Sequence, residues 1–421
     1  MPLPTKHGQR GFALLLFAFL VLGIGAALFL SAWDGTRARQ ERERNAAQAL
    51  QQAKEALIGH AAMPSDINSV GYLPLPDTDD PLLKEGSAAG NPPGNYTNYS
   101  IIGKLPWRSL RTPPLRDQHG ECLWYIVSGR FKKKPKTDAA FNWDTQGQIE
   151  IIDGNGTLIA SNIAAVVVAP GPPLDGQSRS LADAAFTQCG GNYQAYNYLD
   201  PINAANAVAG EVNYFAGSIN GLVAPNDSNK KFIMASGSPF INDRFLLITV
   251  DEIFRPIIRR SDFAARISDL LNDPTFVAHL QSLEIKGPKG TAKLDCNKAT
   301  APPETSETPD PSRYSSFVSF CNNWKEMFFI TQLRDDKPRP PNCSRVIIFA
   351  GQKKPNQNRI PPNDEKKENY LEGVNLAAFD TPKAESNDFD IALLPAFVPD
   401  EPWKDIVICI PEKAPPSETI E

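Results

Sequence analysis

Six cysteines, four histidines and a close-set group of aspartates are the residues of this chain best suited to chemistry, and their spacing limits what they can do. Cys122, Cys189, Cys296, Cys321, Cys343 and Cys409 form no Cys-x-x-Cys pair and have no histidine at metal-ligand spacing, which argues against zinc. An even number of cysteines, all following a long apolar stretch, suits disulfides made in an oxidising compartment; free buried thiols are the alternative reading. Position suggests Cys122 with Cys189, Cys296 with Cys321, and Cys343 with Cys409. His7, His60, His119 and His279 are scattered. Asp77, Asp79 and Asp80 lie in one turn, where carboxylate oxygens would suit calcium, although no EF-hand spacing surrounds them and a solvated turn is the plainer reading. Lys132 to Lys136 reads as a short basic, solvated loop. No nucleophile elbow, zincin helix, phosphate loop or dinucleotide fingerprint occurs, so the residues point to no enzyme and to no cofactor beyond that calcium.

The elements that must carry these residues are legible from composition. A formal net charge of −5 argues against a nucleic-acid binder, and the chain is expected to contact none. Proline is abundant, 38 residues against 28 glycines, which favours short strands joined by ordered loops. From Phe12 to Trp33 runs an uncharged apolar segment of 22 residues, long enough to span a bilayer as a helix. Lys6 and Arg10 before it favour a cytoplasmic N-terminus and an exported bulk, although Arg37, Arg39, Arg42 and Arg44 follow it. A cleaved signal peptide is a weaker reading, because Leu30-Ser31-Ala32 places leucine where a small residue is preferred. Beyond Arg37 the chain lacks proline as far as Ala62, and Ala46, Leu50, Ala53, Leu57 and Ala61 make one apolar stripe. Gly59 and Pro64 mark the end of this helix.

Past Pro64 the chain reads as a head. Leu123 to Val127 is a buried strand, Trp107 and Trp124 are core aromatics, and Arg108, Arg116, Asp117 and Glu121 suit an ion-pair network. Two later stretches share landmarks. Ala165 to Gly171, Gln177, Arg179, Asn197-Tyr198-Leu199-Asp200 and Asn203 match Val346 to Gly351, Gln357, Arg359, Asn369-Tyr370-Leu371-Glu372 and Asn375. The Gly-to-Gln and Asn-to-Asn spacings are six in both, and each copy reaches a closing strand, Arg244 to Val250 or Asp405 to Ile410. Between the copies lie a helix, Ser261 to Leu271, and a Pro-rich linker, Ala301 to Ser312, flanked by Cys296 and Cys321. The matched polar residues suggest loops tied to strands by hydrogen bonds.

A short basic leader ending at Gly11, then Phe12 and a long apolar helix, resembles the prepilin-peptidase site of type IV pilins and type II secretion pseudopilins. The further succession of Lys54-Glu55-Ala56-Leu57-Ile58-Gly59, Leu73-Pro74-Leu75-Pro76-Asp77, Leu105-Pro106-Trp107-Arg108 and Gly120-Glu121-Cys122-Leu123-Trp124-Tyr125 is similar to a group of large pilin-like proteins. The resemblance implies cleavage between Gly11 and Phe12 and methylation of the new N-terminus at Phe12. The family's glutamate at the fifth mature position is Leu16 here, which suits a minor, tip or initiating subunit over a repeating shaft subunit. The implied partners are other pilin or pseudopilin subunits, the inner-membrane assembly platform, prepilin peptidase and the lipid bilayer. The rival reading is a bitopic, membrane-anchored periplasmic binding or scaffold protein that does not polymerise.

The expected fold is therefore α+β. It comprises a leader (1–11), a transmembrane helix (12–33), its amphipathic extension (34–63), a pilin-like head (64–160), two β-rich copies of a duplicated unit (161–260 and 343–412), an intervening helix and linker (261–342), and a frayed tail (413–421). The expected location is the inner membrane, with the head in the periplasm or at a filament tip.

Overall fold

The computed structural model describes residues 10–63, 69–78, 80, 82–90, 100–134, 140–153, 157–180, 188–200, 230–233, 242–283, 294, 296, 311–332, 343–360, 362–364, 366–373, 375–376 and 397–411. Helix α1 (Arg10–Ala62) runs 53 residues, about 80 Å at 1.5 Å per residue. Among the described residues its last third supplies the apolar face that packs on the head. Ala46, Ala49, Leu50, Ala53, Leu57, Ala61 and Ala62 are buried there, on the stripe that the i, i+4, i+7 spacing defines. Each buried leucine contributes about 1.5–3 kcal/mol by leaving water. The last two carbonyls of α1 are satisfied: Gly71 N–H donates to Ala61 O (2.8 Å) and the Arg260 guanidinium donates to Ala62 O.

One expectation is corrected here. Among the described residues no helix is long and apolar enough to cross a membrane, so neither the transmembrane helix over 12–33 nor the single-pass inner-membrane location follows.

The head is α+β. Its larger sheet has the order β1 (Ile101–Lys104), β2 (Trp124–Val127), β4 (Leu158–Ala169), β3 (Ile149–Ile152), β5 (Lys230–Ile233), with β6 (Arg244–Thr249) also on β4. All its pairs are antiparallel except β3 with β5. Proline-free runs of Val, Ile and Ala at 163–169 suit a central strand buried on both faces, and β4 is fully buried over that span. Its first half, by contrast, is exposed. The smaller sheet is β7 (Phe328–Gln332), β8 (Cys343–Phe349), β9 (Ile406–Pro411), antiparallel throughout.

Helices α2 (Val250–Ile258), α3 (Ser261–Asn272), α4 (Pro274–Ser282) and α5 (Pro311–Trp324) follow the first closing strand and lead to the second sheet. Thr249 and Glu252 close a capping box at the start of α2. The other Glu252 oxygen meets Lys54 of α1 at 2.6 Å, and Lys54 also donates to Leu247 O on the β6 edge (2.7 Å). Burial would raise the Glu252 carboxyl, but Lys54 and the Thr249 N–H together hold it below its usual value. One lysine thus ties α1, α2 and the sheet together.

Two further expectations change. Lys132, expected in a solvated loop, is fully buried where its backbone pairs with Leu73, and burial lowers its ammonium to about 8. Arg108, Arg116, Asp117 and Glu121 do not pair with one another among the described residues. Arg108 and Arg116 donate to backbone carbonyls, Asp117 accepts from the N–H groups of His119, Glu121 and Gly171, and Glu121 meets Arg179 at 3.4 Å. Short turns expose more backbone donors than side-chain charges, and the aspartate goes to them.

Candidate functional site

The described part of α1 has two surfaces of opposite character. At its C-terminal end one face is buried and the other carries charge. Between Leu15 and Ile24 every described side chain is exposed; the large apolar ones, such as Leu16, Phe17, Leu20 and Leu22, lie between 52% and 69% open. Isolated exposed apolar residues are ordinary, whereas a contiguous apolar surface all round a helix is not. Gly11 and Phe12, the expected processing residues, lie in the first turn of α1, and Leu16 is one turn further on.

The aspartate group expected to suit calcium is divided. Asp77 is buried and accepts from Gly86 N–H (2.7 Å) and Tyr193 O–H (2.9 Å), while Asp80 accepts from Leu82 N–H (3.0 Å). Asp79 lies outside the described residues. Among the described residues no group of three or more His, Cys, Asp or Glu is placed to hold a metal ion. All six cysteines are paired, as Cys122–Cys189, Cys296–Cys321 and Cys343–Cys409. The Pro-rich linker between Cys296 and Cys321 falls outside the described residues up to Pro311, as does the tail.

The two matched stretches adopt one geometry. In the first, Arg179 donates to Asn197 O (2.9 Å), Gly171 O (2.6 Å) and Gln177 Oε1 (3.1 Å) and stacks over the Tyr198 ring at 4.7 Å. In the second, Arg359 donates to Asn369 O (2.5 Å), Gly351 O (2.9 Å) and Gln357 Oε1 (3.5 Å) and stacks over Tyr370 at 4.5 Å. The glutamine oxygens accept from Leu174 N–H and Lys354 N–H, and the asparagine oxygens from Ser178 N–H and Asn358 N–H. A guanidinium is suited to this task because its fixed fork of donors reaches several carbonyls at once.

The correspondence extends into the strands, beyond the matched residues. Trp124 faces Val168 and Phe329 faces Ile348, and these two aromatics pack on Tyr198 (5.0 Å) and Tyr370 (5.2 Å). So β2–β4–β6 and β7–β8–β9 are equivalent three-stranded antiparallel units, each carrying one arginine clasp. Their outer anchors differ: Arg179 reaches Glu121, whereas Arg359 reaches Asp144 (3.1 Å), a residue of the first half.

Each unit also holds a carboxylate just ahead of its closing strand. Asp405 is buried and accepts from Gly351 N–H (3.3 Å) and from the Asn375 amide (2.9 Å); burial, foremost, pushes its carboxyl up to about 6. The counterpart Asp243 accepts from Asp200 N–H (2.7 Å), and burial together with the Asp200 charge pushes it well up. Sequence reading did not single out Asp144, Asp243 or Asp405 as anchors; only the placement of Asp243 and Asp405 at the closing strands marks them. Every group described here is committed to a loop, a strand end or a ring, and none is arranged as a nucleophile with its base.

No family model, curated protein or solved structure matches this chain.

Functional reading therefore rests on the chain's own residues, and the surface with the most to say is the apolar end of α1.

Proposed function

We propose that this chain is a minor pilin or pseudopilin-like component of a type IV pilus or type II secretion filament, at the tip or in an initiating position, with a structural rather than catalytic role. The observation that carries this reading is the division of α1: a C-terminal third packed on the head and an apolar segment, Leu15–Ile24, exposed on all sides. Helices of the same composition in neighbouring subunits supply the cover such a surface needs. Leu16 supports the terminal position. A carboxylate inside an apolar bundle is tolerable only beside a cation, and a subunit with no amine to meet gains by carrying leucine instead. The three disulfides accord with a head that matures in an oxidising compartment.

Mass analysis of the N-terminal peptide, from cells with and without an active prepilin peptidase, tests the reading. The expected product starts at Phe12, carries one extra methyl and appears only with the peptidase. An N-terminus at Met1 or Pro2 in both backgrounds overturns it.

A further inference from the structure

The two clasped units differ in how their carboxylates are answered. In the second, Asp405 Oδ1 accepts from Gly351 N–H (3.3 Å) and Oδ2 from the Asn375 amide (2.9 Å). The Lys354 ammonium meets Glu372 Oε2 at 3.3 Å. Strand register makes Asp243 the counterpart of Asp405, since Phe245 faces Val168 as Val407 faces Ile348. Asp200 corresponds to Glu372, and Leu174 to Lys354. The Gln177 and Gln357 side chains donate to these two acids at 3.5 and 3.2 Å and accept from Leu174 N–H and Lys354 N–H.

Each difference takes a cation or a donor away from the first unit. A leucine stands where the second unit has an ammonium. Gly171 N–H, the counterpart of Gly351 N–H, goes to a further carboxylate, Asp117 (2.8 Å), and not to Asp243. Asp243 Oδ2 accepts from Asp200 N–H (2.7 Å), and Asp200 Oδ2 accepts in return from Asn242 N–H (2.6 Å) and Asp243 N–H (3.0 Å). These reciprocal bonds hold the two carboxylates together. Asp243 Oδ1 is shut off from water with no hydrogen-bond partner, and so is Asn242 Oδ1 beside it. Asp200 Oδ1 has only the long contact to Gln177. A buried carboxylate oxygen is costly to leave unanswered.

Among the described residues, Asp117, Glu121, Asp200 and Asp243 cluster about Arg179, four acids to one cation. In the second unit three acids, Asp144, Glu372 and Asp405, share Arg359 and Lys354. The first unit is therefore two positive charges short of its twin. Neighbouring arginines do not make this up, since Arg116 donates to carbonyls and Arg244 meets Glu43 at 3.2 Å. Burial, and after it the Asp200 charge, pushes the Asp243 carboxyl well up, as expected of an acid with no cation against its free oxygen.

We propose that the first unit binds one divalent, oxygen-seeking metal cation on Asp200 Oδ1 and Asp243 Oδ1, with Asn242 Oδ1 alongside, in the role that Lys354 has in the second unit. Carboxylate and carboxamide oxygens are the ligands such ions take. Two acids and an amide are fewer than the three-acid group found absent above, and a charge of two restores the balance of the twin. The inference concerns the first unit alone and does not rest on the filament reading.

Titration calorimetry of the full chain with calcium chloride, after treatment with a chelator, tests it. One calcium is expected to bind with a dissociation constant of about 0.1–1 mM, as in extracellular calcium modules. Asp243→Asn keeps an acceptor for Asp200 N–H but loses the charge, and is expected to weaken binding about tenfold or more. Leu174→Lys carries the ammonium of the second unit into the first, and is expected to abolish calcium binding while the thermal midpoint in chelator falls no lower. Thermal unfolding of each variant confirms that the fold is kept. No calcium binding at millimolar concentration overturns the proposal and leaves the cluster neutralised by protons. Calcium affinity that neither substitution changes also overturns it, and places the ion elsewhere in the chain.

Discussion

Arg359 is almost wholly buried, with its side chain 2% open, and its charge is balanced by Asp144, itself 12% open. Removing one partner of such a pair leaves the other charged and desolvated, which typically costs 3–5 kcal/mol. Arg359→Ala is therefore expected to lower unfolding free energy by about 3 kcal/mol or more, measured by urea denaturation. Arg359→Lys should recover only part of this, because a point charge cannot reach Gly351 O, Asn369 O and Gln357 Oε1 together. Asp405 behaves differently. Its folded value of about 6 lies above the ordinary 3.8, so between those values the native state binds more proton than the unfolded chain. The stability it contributes is fully present below 3.8 and is lost as pH rises through 6, an effect of roughly 3 kcal/mol at about 1.4 kcal/mol per pH unit. Asp405→Asn keeps a carbonyl for Gly351 N–H and cannot ionise, so its stability curve from about pH 4 to 7 should be flatter than that of the parent. A slope unchanged in the variant would show that the carboxyl does not titrate in that window.

At the level of elements, α1 divides into a part that stabilises the head and a part that does not. Leu57 is fully buried beneath the head, and Leu57→Ala should cost about 2–5 kcal/mol by cavity formation. Leu20 is 60% exposed, and Leu20→Ala should leave the thermal midpoint unchanged while weakening association of the full chain, read by sedimentation. Equal loss of stability in both variants would place Leu20 in the head's own packing. The stripe Ala46–Ala61 was readable because helical packing repeats along the chain. The loop clasp was readable too, since Gly, Gln, Arg, Asn and Tyr recur at fixed offsets and each has a job: a carbonyl, an acceptor, a fork, a second acceptor and a ring. Strand β2 was readable as well, as the buried run Leu123 to Val127, but its equivalence to β7 was not, because Trp124 and Phe329 do the same packing with different residues and share only shape. The cleft walled by Phe254, Phe263, Phe320 and Trp324 left no trace either. Its lining comes from Val70, Phe141, the stretch 254–266 and the stretch 319–324, and no local pattern ties these segments together.

For the whole molecule, the seam between the halves is aromatic. Trp143 of the first half packs on Trp324 (4.6 Å), Phe349 (6.0 Å) and Phe397 (6.4 Å) of the second, and Asn142 donates to Asn323 O (2.8 Å). Beside them Asp144 crosses to Arg359, 215 residues away in sequence. The first clasp draws its anchor, Glu121, from the segment next to the Cys122–Cys189 disulfide, and so depends on nothing made later than its own closing strand. The second borrows its anchor from a segment synthesised long before it. A chain made from the N-terminus forward thus meets its contacts in an unequal order: the early unit can close on itself while the late one is still emerging, and then stands as the mould against which the late one sets. Two units with one geometry are in this way given different histories, the first a founder and the second a dependant, by the choice of which carboxylate faces which arginine.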